Sequence, residues 1–330
     1  MYKVSIIGGG TGSFTLLNGL KSYPDLSLRA IVAMTDDGGS TGILRDELGA
    51  LPPGDIRQCL VALSTADDKT WRDLFNLRFE DEGRFRGQNF GNILLTALEK
   101  ISPDYETALE KAGKILQVKK DSKVIPITLD RIRLAAETVD NKIIKGEHNI
   151  DLKEYRIKRI FFEPEPNPNP KAIESMLESD LIVVAPGDIY TSILPNLIVK
   201  NIDRVFRDSK ATKVYVCNIM TQKNHTNDFK VIGFVDLLEK TLGKDAFDFV
   251  IYNNKMPSDE FLKSYSQEGE YPVKFEAGDF NDRKTIFLGE DIISQKIPKK
   301  SGADMLSRAL IRHDSIQLAS MLYNLLGKKG

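Results

Sequence analysis

Val4-Ser5-Ile6-Ile7-Gly8-Gly9-Gly10-Thr11-Gly12 decides the fold. A short apolar run leads straight into three glycines, a threonine and a fourth glycine. The helical spacing Phe14, Leu16, Leu17, Leu20 follows. A second apolar run over residues 28–34 then ends in Thr35-Asp36-Asp37-Gly38-Gly39-Ser40-Thr41-Gly42. Strand, glycine loop, helix, strand and acidic glycine loop make a βαβ unit. Both loops of such a unit open at the carboxyl edge of the sheet, where ligands of open α/β folds bind.

Glycines let a ligand approach the backbone closely, and the helix after them offers unpaired N–H groups and the positive end of its dipole. Gly9, Gly10, Thr11 and Gly12 are therefore candidates for holding a phosphate. The spacing departs from the dinucleotide fingerprint, because Ser13 stands where its third glycine belongs. A tight turn without a ligand is the plain alternative. In dinucleotide folds an acidic residue at the end of the second strand binds ribose hydroxyls, and Asp36 and Asp37 stand there. With Gly38, Gly39 and Ser40 they suit sugar hydroxyls, or a magnesium ion beside a phosphate. A solvated Asp-Gly turn is the alternative.

The 330 residues suffice for a large core with an inserted lobe. Hydrophobic and charged fractions of 41% and 28% are those of an ordinary globular protein, and a net charge of −1 gives no reason to expect nucleic acid. No apolar run reaches the ~20 residues that span a bilayer, so no membrane insertion is expected. The early strand argues against a signal peptide. Cys59 and Cys217 read as buried free thiols in a reducing compartment, and the expected location is the cytoplasm.

Further along, Pro52-Pro53-Gly54-Asp55 opens a helix, with Asp55 and Gln58 at capping-box spacing. Arg57, in its first turn, hints at an anionic neighbour. Residues 66–85, with Trp71, are expected as an amphipathic helix on the core. Asn92 reads as the N-cap of a helix over residues 93–100, which leaves Gln88 and Asn89 unexplained by capping. Val124, Ile125 and Ile127, residues 134–139 and Ile143-Ile144 read as short strands around an Asp140-Asn141 turn, a small antiparallel β insertion. The division expected is residues 1–122 as a nucleotide-binding α/β half, 123–155 as the insertion and 156–330 as a second half completing the same sheet. His148 has no second Cys or His nearby and reads as a surface or packing residue.

Residues 181–185 are a continuous apolar run, as in a central parallel strand, and exit into Pro186-Gly187-Asp188-Ile189-Tyr190-Thr191-Ser192. Gly187 repeats the glycine-loop pattern. Thr191 and Ser192 either bond phosphate or cap a helix over residues 193–199. Strands over 213–220, 247–252 and 272–276 and helices over 231–242, 258–267 and 303–326 complete a doubly wound, mostly parallel, Rossmann-like α/β sheet. His313 and Asp314 read as a cap or a surface pair.

Taken together, Ile7-Gly8-Gly9-Gly10-Thr11-Gly12, Thr35-Asp36-Asp37-Gly38-Gly39-Ser40, Pro52-Pro53-Gly54-Asp55-Ile56-Arg57, Gly91-Asn92, residues 186–196, residues 217–222 and Arg312-His313-Asp314 resemble the bacterial gluconeogenesis factor family (YvcK type). That family lies within the larger group related to 2-phospho-L-lactate transferase (CofD). The resemblance implies a Rossmann-like protein that binds a nucleotide sugar, UDP-linked, and serves gluconeogenic growth, cell shape and cell-wall precursor supply. The alternative it implies is a transferase that moves a phospholactyl group from a nucleotide diphosphate donor to a deazaflavin with a divalent metal. Carried over by motif, Gly10, Thr11 and Gly12 face phosphate or ribose, and Asp36 and Asp37 meet sugar hydroxyls or magnesium. Asn92, Tyr190, Thr191, Asn196 and Asn218 line the pocket. The expected ligand is a nucleotide sugar or dinucleotide with magnesium, and the expected partner is a second copy of the chain. Asp188 departs from the Gly-Ser-Leu triplet usual in the family. A carboxylate there repels phosphate unless it turns away or binds metal. No site for a flat deazaflavin is recognisable, and His225 has no assigned role.

Overall fold

β1 (Tyr2–Ile7) is the pivot of the sheet, and its sequence explains why. Val4, Ser5, Ile6 and Ile7 are all buried, so this strand suits only a position covered on both faces. Its one buried polar residue is satisfied inside: Ser5 Oγ donates to Ser175 O (3.2 Å) and accepts from Ser179 Oγ (2.7 Å). The computed structural model describes residues 1–80, 82–152, 154–295 and 310–328.

In chain order, β1 leads to α1 (Gly10–Leu20), β2 (Leu26–Val32), α2 (Gly39–Leu48), α3 (Gly54–Leu63), α4 (Thr70–Asn76), α5 (Phe90–Lys100), α6 (Tyr105–Ile115) and β3 (Lys123–Pro126). An excursion follows through β4 (Arg133–Thr138), β5 (Ile143–Lys145), α7 (Glu147–Asp151), β6 (Ile157–Glu163) and α8 (Pro170–Leu177). The chain then returns as β7 (Leu181–Val184), α9 (Leu194–Leu197), α10 (Ile202–Asp208), β8 (Thr212–Val216), α11 (Val231–Leu242) and β9 (Phe249–Asn253). It closes with α12 (Asp259–Gln267), β10 (Ile286–Glu290) and α13 (Ser315–Asn324).

The main sheet has seven strands in the order β10-β9-β8-β7-β1-β2-β3, and every pairing is parallel. From β1 the chain steps one way to β2 and β3, then jumps back to β7 and steps the other way. The strand order therefore reverses between β1 and β7, the crevice in which ligands of doubly wound sheets bind. One face is covered by α1, α3, α5, α6 and α13, through residues such as Leu16, Leu60, Leu95, Leu109 and Leu318. The other is covered by α8, α9, α10 and α11, through Met176, Leu197, Phe206 and Phe234. Among the described residues no helix is long and apolar enough to cross a membrane.

The small antiparallel sheet exists, in the order β5-β4-β6, but its membership differs from the expectation. Residues 123–126 join the main sheet beside β2, because Val124, Ile125 and Pro126 are buried from both sides. The strand after residue 156 pairs with β4 instead. Residues 66–85 do not form one helix: only α4 is helical, and Trp71 is 40% exposed while Phe75 faces the core. Residues 39–42, read as part of the acidic glycine loop, instead open α2. Residues 272–276 make only isolated bridges, and the seventh strand is β10, a run that went unrecognised. Of the helix expected over 303–326, residues 303–309 lie outside the described residues; the helix seen is α13.

Candidate functional site

The exits of β1, β7 and β8 converge at the point of strand reversal. α1 starts at Gly10 (φ +57°), with Gly9 as its N-cap and no side chain capping it locally. A Cβ on Gly12 would collide with the Pro186 carbonyl oxygen, so the first turn of α1 lies against the loop after β7. That loop is clamped from β8: Gly187 N donates to Asn218 Oδ1 (3.1 Å) and Asn218 Nδ2 donates to Gly187 O (2.7 Å). Between them opens a cleft of about 330 Å³. Its walls include Thr11, Gly12 and Thr15, then Gly187 and Asn218, then Thr221 and Gln222. Gln222 Oε1 is buried there without a hydrogen-bond partner among the described residues. Arg312 and His313 close the cleft from the C-terminal side. Burial pushes the His313 imidazole down to about 4, so it is neutral. Its Nε2 lies 3.0 Å from Cys217 O, a carbonyl that can only accept, so Nε2 carries the proton. The Cys217 thiol is buried and pushed up to about 12, and both cysteines are free and buried as expected.

Two carboxylates, Asp188 and Glu270, also line this cleft, and beside it sits an acidic chamber. Asp55 is no capping box. Its carboxylate reaches back to α1 and accepts from Gly10 N, and a Cβ on Gly9 would run into it. Burial first, then the charge of Asp36, raises Asp55 to about 7. Asp36 is raised as well, mainly by burial, against hydrogen bonds from Thr41 and Gly38. Glu147 on α7 is raised to about 10 by burial and then by Asp36. Among the described residues no group of three or more His, Cys, Asp or Glu side chains is arranged to hold a metal ion.

Several predicted residues turn out to build the rim rather than line the cleft. Asp37 accepts from Glu147 N (3.2 Å) and His148 N (2.8 Å), tying the insertion helix α7 to the sheet edge. Asn89, not Asn92, caps α5, accepting from Asn92 N (3.0 Å). Asn92 instead accepts from Arg57 Nε (2.9 Å) and donates to Thr41 Oγ1 (3.4 Å). Ser40 Oγ donates to Gln88 Oε1 (2.9 Å) and accepts from Asn89 N (3.1 Å). The buried Arg57 guanidinium, lowered to about 10 by burial, also donates to Phe75 O and Asn76 Oδ1; these hydrogen-bond partners are neutral, while Asp55 and Asp36 are the anionic neighbours that act on it through charge. Gly38 is the N-cap of α2, and Gly39 (φ +45°) is exposed.

The helix expected over 193–199 begins earlier, as a π-helical turn, Ile189–Ile193, before α9. Its cap is neither Thr191 nor Ser192. Asp188 Oδ1 accepts from Tyr190 N (3.0 Å) and Thr191 N (3.1 Å). The extra carboxylate is thus turned into its own loop, and its Oδ2 faces His225 Nδ1 at 3.8 Å. His225 is buried against the Tyr190 ring in a T-shaped contact of 5.3 Å. Tyr190, Thr191 and Asn196 are buried beneath the rim, and Asn196 Nδ2 donates to Ser192 O (2.9 Å). Of His313 and Asp314, only Asp314 is a cap, accepting from Ile316 N and Gln317 N.

The model of the family described as 2-phospho-L-lactate transferase CofD matches residues 4–293. The chain belongs to this CofD family. This CofD-family chain is 37% identical over 325 residues to the gluconeogenesis factor of Bacillus subtilis (strain 168), covering 98% of each. It is 37% identical over 330 residues to the gluconeogenesis factor of Listeria innocua, covering 99% of this chain and 96% of that one. A crystal structure of a UPF0052-family protein from Bacillus halodurans superposes with a TM-score of 0.88 at 32% identity, covering 98% of both chains. Sequence reading did not place Asp55, Glu147, Arg312 or His313 in the candidate site. Asp55, Arg312 and His313 stood in stretches that resemble the family, and only Glu147 carried no signal.

Proposed function

We propose that the chain binds a nucleotide sugar, UDP-linked, in the cleft at the strand reversal, and acts as a regulatory protein of gluconeogenic growth, cell shape and cell-wall precursor supply. The observation that carries this reading is the cleft itself. It opens where the strand order reverses, and its walls mix backbone, hydroxyl and amide groups with a cation, Arg312, two carboxylates, Asp188 and Glu270, and an acceptor, Gln222 Oε1, without a hydrogen-bond partner among the described residues. Relatives named gluconeogenesis factor along nearly their whole length support the physiological part. A magnesium ion, if bound, would be held by Asp36 and Asp55, whose mutual repulsion it would relieve, and would supply positive charge to a phosphate-bearing ligand.

Calorimetry with a panel of UDP-sugars, with and without magnesium, tests the proposal. Saturable heat that disappears in Asn218→Ala is the expected result; no heat at millimolar ligand overturns it. The family match favours a second reading, a phospholactyl-type transferase. Incubation with guanylyl-phospholactate, deazaflavin and magnesium decides that reading, and absence of product retires it.

A further inference from the structure

A second cavity, of about 510 Å³, lies away from the strand reversal, along the outer edge of β3 between α6 and the start of α8. It falls in the size range of small-molecule sites. Leu60, Leu109, Val118, Val124 and Ile125 give it an apolar body. Lys114, Lys119, Lys120, Lys123 and Lys171 ring it, against two acids, Glu106 and Glu110. Five cations against two anions leave a surplus of three positive charges on a chain whose net charge is −1. Two lysines are already engaged: Lys171 pairs with Glu106 (2.5 Å) and Lys119 Nζ donates to Lys21 O (3.1 Å). Lys114, Lys120 and Lys123 are exposed and make no ion pair among the described residues.

β3 is an edge strand, and an open edge invites a peptide strand. This edge is closed to one. Ile127 N donates to Val32 O (2.8 Å), which turns residues 123 and 125 toward β2 and leaves Val124 and Pro126 facing outward. Pro126 has no N–H, and its carbonyl already accepts from Asn169 Nδ2 (3.1 Å). Only the Val124 amide remains for a ladder.

We infer that this cavity is a ligand site for a small amphiphile, one apolar chain ending in a single anionic head, carboxylate or phosphate. The chain lies on Leu109, Val118 and Val124, and the head meets Lys120 and Lys123. The site stands independently of the nucleotide-sugar reading, because no residue is shared between the two cavities.

Calorimetry on the full chain with octyl phosphate, octanoate and octanol tests it. One saturable site is expected for at least one anion, at least tenfold tighter than for the neutral alcohol. Binding of only one anion assigns the head group. Lys120→Glu with Lys123→Glu should weaken the anion at least tenfold, and Val118→Trp should abolish binding by filling the cavity. The lysine pair is exposed, so that variant folds even if Val118→Trp does not. No saturable binding at millimolar probe, equal affinity for octanol, or an unchanged affinity in the lysine variant overturns the inference.

Discussion

Asp55 concentrates the electrostatics of the candidate site in one side chain. Its folded pKa, about 7, lies above its ordinary value because burial and Asp36 penalise the charged form. The folded state therefore holds a proton that the unfolded chain has already released, and stability from this group is lost as pH rises from about 4 through about 7. Asp55→Asn should flatten that decline and stabilise the ligand-free protein at pH 8 by about 2 kcal/mol, read as a Tm higher by several degrees in thermal unfolding across pH. Gly12→Ala probes the cleft wall: the new methyl meets the Pro186 carbonyl, so α1 and the β7 exit must part. A loss of about 1–3 kcal/mol in urea unfolding is expected, with weaker UDP-sugar binding per folded molecule. Asp55 was misread because capping-box spacing is a local pattern, whereas its partner, Gly10, lies 45 positions earlier.

At the scale of elements, Asp37 and Asp188 do the same thing: each carboxylate holds the first N–H groups of a short helical turn at the rim. Asp37→Ala should cost about 1 kcal/mol and speed hydrogen exchange at the amides of Glu147 and His148. Unchanged exchange alongside lost ligand binding would assign Asp37 to the ligand instead. The strands beside the reversal were readable because continuous apolar runs such as residues 181–185 suit only a covered parallel strand. β10 was not, since residues 286–290 pass through Gly289 to Glu290 and stay partly exposed at the sheet's far edge. Asn92 and Asn89 exchanged roles for a related reason. Either residue satisfies the preference for a cap, and what separates them is the buried Arg57, a partner from another helix.

Across the whole molecule, the first βαβ unit depends on the last helix. α13 lays Leu318, Ala319 and Leu322 into the core beside α1, and its Ser315 carbonyl rests against Gly19. Tyr323 stacks on Tyr23 at 4.4 Å and donates to Asp25 Oδ2 (2.7 Å). Leu322→Ala should therefore destabilise the entire domain by about 2–4 kcal/mol in a single cooperative urea transition, not α13 alone. Local pattern gave the α/β class, but the order of strands and the partner of the C-terminal helix are long-range facts that no periodicity encodes. The same closure has a consequence in time. A ribosome releases the glycine loop some 300 residues before Arg312 and His313. The nascent chain must therefore wait, with one flank of α1 bare, until α13 has emerged before the cleft is whole. A chain cut short before Arg312 lacks that wall of the cleft and displays sticky surface to chaperones and proteases.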